Sequence, residues 1–231
     1  MDGCESLADD GTRIASRRDN AALRLWAEML ALFIGMPGLL IIFRHYVSGI
    51  LVILIMLAAC GCWMILKRQP GFDRRTLWNA RDFGRHVGRT LLVFVPLGVV
   101  AAVISYLYMP GSFFAFPRTH FIFWLLVMVL YPILSAYPQE LIYRTFFFSR
   151  YRTLFKTDRQ LAVASAIVFG WGHVFLGNWI APLFATLGGL LFGRTWQRSN
   201  SLLQTALEHG LWGNLLFTVG IGWYFYAGSI G

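Results

Sequence analysis

The chain has 231 residues, 57% of them hydrophobic and 13% charged, where an ordinary soluble domain has roughly 45–50% apolar and about 25% charged residues. Long apolar runs recur from Leu25 onward and leave no stretch polar enough for a separate globular unit, which excludes a water-soluble enzyme and predicts one integral membrane domain. The net charge of +9 would suit nucleic acid if Lys and Arg formed a face, but they fall between the apolar runs, so the expected partner is the lipid bilayer and not nucleic acid.

In chain order, residues 1–24 mix acidic and basic side chains with no short apolar core or cleavage site; they read as a cytoplasmic tail without a cleaved signal peptide. The membrane domain occupies 25–231. Apolar segments at 25–43, 47–66, 88–108, 121–143, 161–177, 180–196 and 202–218 are each about the length that crosses some 30 Å of hydrocarbon. Val219 to Ile230 would add a short eighth segment if it re-enters or spans obliquely. The expected fold is therefore all-α, a polytopic membrane helical bundle of seven to eight transmembrane helices.

Placing the N-terminus in the cytoplasm puts 18 of the 20 basic residues on that side and leaves Arg44 and Arg118 on the other, the asymmetry that orients a membrane protein. The expected location is the bacterial inner (plasma) membrane. Pro37, Pro96, Pro132 and Pro138 lie inside apolar runs and predict kinked helices. Ala181, Ala185, Gly189 and Gly193 recur every four residues, a stripe that lets another helix approach closely. Cys4, Cys60 and Cys62 form neither a CxxC pair nor an even set and read as reduced packing residues.

Ionisable groups at membrane depth cost several kcal/mol, so those inside the spans carry the most information. Glu28, Glu140, Glu208, His173 and His209 lie in apolar segments, with Arg144 near the inner end of the fourth. At 1.5 Å per residue Glu140 lies about 16 Å from Tyr151, His173 about 21 Å from Arg159 and His209 about 16 Å from Arg198, so the three share one depth. Glu28 is only about 6 Å from Arg24 and is expected to snorkel to the interface. Glu140 and Arg144, four apart, share a helix face and can pair. Pro138 bends the helix just ahead of Glu140 and favours a polar pocket there.

One Glu and two His within reach of one water suit peptide hydrolysis by two routes. In the first, Glu140, His173 and His209 hold zinc and leave a fourth position for water. In the second, no metal is used: Glu140 is the general base, His173 helps hold the water, and His209 with Asn214 stabilises the oxyanion. The zinc motif HExxH is absent.

The strings Gln139-Glu140-Leu141-Ile142-Tyr143-Arg144, Phe169-Gly170-Trp171-Gly172-His173 and His209 followed by Asn214 occur in this order on three late spans. Together they resemble the CPBP family of intramembrane proteases, which includes the type II CAAX prenyl endopeptidases and carries EExxxR, FxxxH and HxxxN motifs on a helical membrane core. The resemblance covers about residues 120–220. It implies catalytic roles for Glu140, His173, His209 and Asn214, supporting roles for Arg144, Gln139 and Phe169, and a membrane-associated protein or peptide as substrate. Two positions depart: Gln139 replaces the first glutamate, and Asn214 lies one residue beyond HxxxN, with Gly213 at the asparagine position. A helix distorted around Gly210 and Gly213 would be needed to bring Asn214 into line. Three readings follow: an intramembrane endopeptidase; a catalytically silent relative that binds a peptide or confers bacteriocin immunity, favoured by Gln139; and a transporter, which would also concentrate Glu, Arg and His at mid-membrane depth.

Overall fold

The computed structural model describes residues 19–226. Most of the expected tail, with Cys4, and residues 227–231 lie outside the described residues. Among the described residues seven helices of 16 residues or more follow one another: α1 (Asp19–Ile42), α2 (Leu51–Leu66), α3 (Phe83–Tyr108), α4 (Phe121–Leu154), α5 (Asp158–Leu176), α6 (Ile180–Ser199) and α7 (Leu202–Val219). No strand occurs among the described residues.

Four of the seven, α1, α3, α4 and α5, are long and apolar enough to cross a membrane. At 16 residues α2 is apolar but shorter. In α6 the apolar run is interrupted by Arg194, Gln197 and Arg198, and in α7 by Gln204, Glu208, His209 and Asn214. The expected eighth segment begins as a five-residue 3₁₀ turn over Ile221–Phe225, which at about 2 Å per residue rises only about 10 Å. Side chains such as Leu92, Val99, Ile122 and Phe123 are exposed on α3 and α4. A polytopic protein turns such residues to lipid, whereas in water they would form a costly patch. The chain is an integral, multi-pass membrane protein.

Two boundaries differ from the sequence expectation. α1 already runs at Asp19 rather than starting at 25, and α4 continues to Leu154 rather than ending at 143. Arg144, counted in sequence among the basic residues of the cytoplasmic side, is fully buried against Glu140. Removing it from the eighteen basic residues of that side leaves the asymmetry intact. Glu28 does not act alone at the interface. Its carboxylate accepts from Arg150 Nε at 2.9 Å and Nη2 at 2.7 Å and from the Tyr151 hydroxyl at 3.0 Å, clamping α1 to the end of α4.

Wider π-helical turns accompany the prolines of α1 and α4. Residues Ala31–Gly35 ahead of Pro37, Pro132–Ala136 and Leu141–Phe146 are π-helical, and i→i+5 bonding there offers donors to carbonyls that lack their usual N–H partner near a proline. Pro96 stays inside an uninterrupted α3. Glu140 thus lies between two π stretches of α4, a local geometry that re-aims side chains.

Tight connections set the late helices antiparallel. A capping box of Thr157 and Gln160 opens α5. Asn178 Oδ1 accepts the Ala181 N–H at 2.8 Å at the start of α6. The α6–α7 turn needs only Asn200, left-handed at φ +45°, and Ser201, whose side chain accepts the Gln204 N–H. The small-residue stripe of α6 packs on small residues of α5: Gly189 against Ala166, and Gly193 against Ala162. A Cβ at 189 would lie 2.9 Å from Ala166 Cα, so Gly189→Ala should push the two helices apart and cost about 1–3 kcal/mol. A lowered melting temperature in detergent checks this. Cys60 and Cys62 are both free.

Candidate active site

The α4–α7 interface is zipped by polar contacts. Trp124 Nε1 donates to Thr218 Oγ1 at 3.0 Å, Asn214 Nδ2 donates to the Met128 carbonyl at 2.9 Å, and Tyr131 meets His209 at 3.0 Å. Close approach is possible because Gly210 faces Pro132, where a Cβ would come within 3.0 Å of Pro132 Cβ. The interface brings α7 against the proline-containing part of α4, and there His209 Nδ1 lies 2.8 Å from Glu140 Oε1. The other carboxylate oxygen of Glu140 lies 3.1 Å from Arg144 Nε, with both side chains fully buried.

This cluster is built for charge. A buried carboxylate or guanidinium persists only when paired and hydrogen-bonded. Arg144 meets that demand in three ways: it faces Glu140, it donates from Nη2 to the Gly189 carbonyl at 3.0 Å, and its guanidinium lies 4.6 Å from the Phe169 ring centroid. The α5–α6 stripe serves this contact, because it brings the Gly189 backbone within reach of α4. In the neutral tautomer with its proton on Nδ1, His209 donates to Glu140 and turns the lone pair of Nε2 to the Tyr131 hydroxyl.

Phe169 is the hub of the site, 1% exposed. Its ring centroid lies 5.6 Å from that of His209 and 4.8 Å from that of His173, both edge-on. His173 follows the last regular turn of α5, where its Nδ1 donates to the Phe169 carbonyl at 2.8 Å. That bond fixes the tautomer and puts the ring's lone pair on Nε2. Two glycines make room for aromatic neighbours: a Cβ at Gly172 would come within 2.5 Å of the Tyr143 hydroxyl, and one at Gly213 would overlap the Tyr131 ring.

Of the residues expected from sequence, the structure gathers Glu140, Arg144, His209 and Phe169, all buried, and the partly exposed His173 in one cluster. Gln139 and Asn214 lie apart from it. Gln139 Nε2 donates to Ser135 Oγ at 2.7 Å on its own helix. α7 runs regularly through Gly210 and Gly213, so Asn214 stays on the Met128 carbonyl rather than turning to His209. Glu208 faces away, among His86, Thr90, Thr195 and Gln204.

The three residues expected to hold zinc do not fit a metal in this arrangement. Both nitrogens of His209 face protein partners, and each oxygen of Glu140 faces a donor. No group of three or more His, Cys, Asp or Glu suited to a metal occurs among the described residues. Tyr131 is the neighbour that sequence reasoning missed. Its signal was the glycine at 213, one turn from His209, which leaves space for a large side chain from another helix.

Comparison with known families gives one finding: residues 118–216 match the type II CAAX prenyl endopeptidase Rce1-like family. The matched stretch runs from the start of α4 into α7 and contains every member of the cluster. No curated protein and no solved structure matches the chain.

Proposed function

We propose that this chain, whose residues 118–216 match the type II CAAX prenyl endopeptidase Rce1-like family, hydrolyses a peptide bond of a membrane-associated protein or peptide inside the bilayer, at the Glu140–His209–His173 cluster. The observation that carries this reading is the 2.8 Å contact of His209 Nδ1 with Glu140 Oε1. It joins an acid and an imidazole from two helices at a depth where neither is tolerated without purpose, with a second imidazole across one phenyl ring.

The roles follow from which atoms are engaged. Glu140 has one oxygen toward Arg144 and the other toward His209, which suits an orienting carboxylate that fixes an imidazole's tautomer. His173 keeps the lone pair of Nε2 and is the general base in this reading. It takes a proton from water as the water oxygen bonds to the carbonyl carbon. It then returns the proton to the amine nitrogen as the C–N bond breaks. With both ring nitrogens engaged, by Glu140 and by Tyr131, His209 lines the site beside Phe169 and orders its polar wall. The mechanism uses no metal, so chelation leaves the rate unchanged. All seven helices contribute to the span count in this reading, with the N-terminus and the basic end facing the cytoplasm of a bacterial inner membrane.

A silent, peptide-binding relative is the second reading. It is favoured by the amide of Gln139, bound to Ser135, at the position of the family's first glutamate. The protein reconstituted in liposomes with a carboxy-terminal CAAX peptide, prenylated or not, separates the two. Appearance of a shortened, chelator-insensitive product supports the peptidase, and retention of intact peptide without cleavage supports the silent relative.

A further inference from the structure

We propose that Tyr131 is a positioning residue of this site, completing a hydrogen-bonded chain Glu140–His209–Tyr131 that locks the imidazole from both sides. The inference rests on the peptidase reading and adds a residue that none of the sequence motifs contains.

Three observations carry it. The Tyr131 hydroxyl lies 3.0 Å from His209 Nε2, while Nδ1 of the same ring lies 2.8 Å from Glu140; an imidazole held at both nitrogens has one orientation and one tautomer. The ring is delivered by α4 at the residue directly ahead of the π stretch Pro132–Ala136. The space it fills belongs to position 213, which lies one helical turn beyond His209 on the same face and where a Cβ would overlap the phenol. A side chain rooted at 213 would stand beside His209. Gly213 yields that place to a hydroxyl from α4. The ring also stacks edge-on with Phe217 at 5.4 Å and with His209 at 5.9 Å, so the hydroxyl is aimed by packing on both sides.

The hydroxyl serves His209 in either protonation state. With the ring neutral, the O–H donates to Nε2. With the ring protonated, Nε2–H donates to the phenolic oxygen.

Tyr131→Phe keeps the ring in its space and removes only the oxygen. In liposome assays of peptide cleavage it should lower kcat by about 10- to 100-fold, the scale of removing a group that orients a reacting one, with KM little changed. Gly213→Ala should act alike by displacing the ring. Tyr131→Ala should lose at least as much, and adding Gly213→Asn, whose amide fits the vacated space, should return part of it. Independently of turnover, the ¹⁵N resonance of His209 Nε2 should move downfield in Tyr131→Phe as its donor is lost. A Tyr131→Phe variant with wild-type kcat, beside an inactive His173→Ala, overturns the proposal and leaves the peptidase reading standing. An unmoved Nε2 resonance also overturns it. A wild type that cleaves nothing overturns the peptidase reading and this role with it.

Discussion

Glu140→Ala is expected to destabilise the protein by about 3–5 kcal/mol, because it strands the Arg144 guanidinium, fully buried between α4, α5 and α6, without its counter-charge. The Phe169 ring and the Gly189 carbonyl remain, but a cation–π contact and one hydrogen bond return only about 1–3 kcal/mol between them. His209 loses its acceptor at the same time. The loss should appear as a lowered unfolding temperature in detergent, with activity gone as well. Glu140→Leu combined with Arg144→Met should recover most of the stability and none of the activity, since an apolar pair of similar volume replaces a buried ion pair at little cost. If Glu140→Ala melts like the wild type, the ion pair is not what holds α4 in register.

His173→Ala is expected to separate chemistry from stability. The imidazole sits past the last regular turn of α5, makes its hydrogen bond to the Phe169 carbonyl four residues back, and otherwise touches the rings of Phe169 and Phe225. Its removal should cost less than about 1 kcal/mol in unfolding, while the loss of a positioned general base should lower the cleavage rate by about 10²- to 10⁴-fold. His173→Gln retains a donor toward the Phe169 carbonyl but no basic nitrogen, and should be as inactive as the alanine variant. Substantial cleavage by His173→Gln would move the base elsewhere in the cluster.

The helices and the cluster were largely legible in the sequence, for a physical reason. Apolar runs of membrane length can be only helices when backbone groups must pair within the segment, and charged residues inside such runs are costly enough to stand out. Helical rise alone put Glu140, His173 and His209 at one depth, and the structure places Glu140 and His209 in contact with His173 nearby across Phe169. What could not be read was azimuth. The π stretches on either side of Glu140 alter which way α4 side chains face, and no residue count reveals them. Asn214 illustrates the limit: in a regular α7 it faces Met128. Arg144 counts in sequence among the basic residues of the cytoplasmic side, and the pairing with Glu140 that their four-residue spacing predicts holds it in the core. Tyr131 lay outside every motif, and only the packing of α4 on Gly213 reveals it.

Hydrolysis at this cluster is tested most directly by a single-turnover reaction in liposomes made in H₂¹⁸O, comparing the wild type with His173→Ala on a membrane-anchored peptide. The account predicts that the wild type releases a fragment whose new carboxylate carries ¹⁸O, and that the equally folded variant releases none. Equal ¹⁸O-labelled product from both proteins, or intact peptide from both, would contradict it.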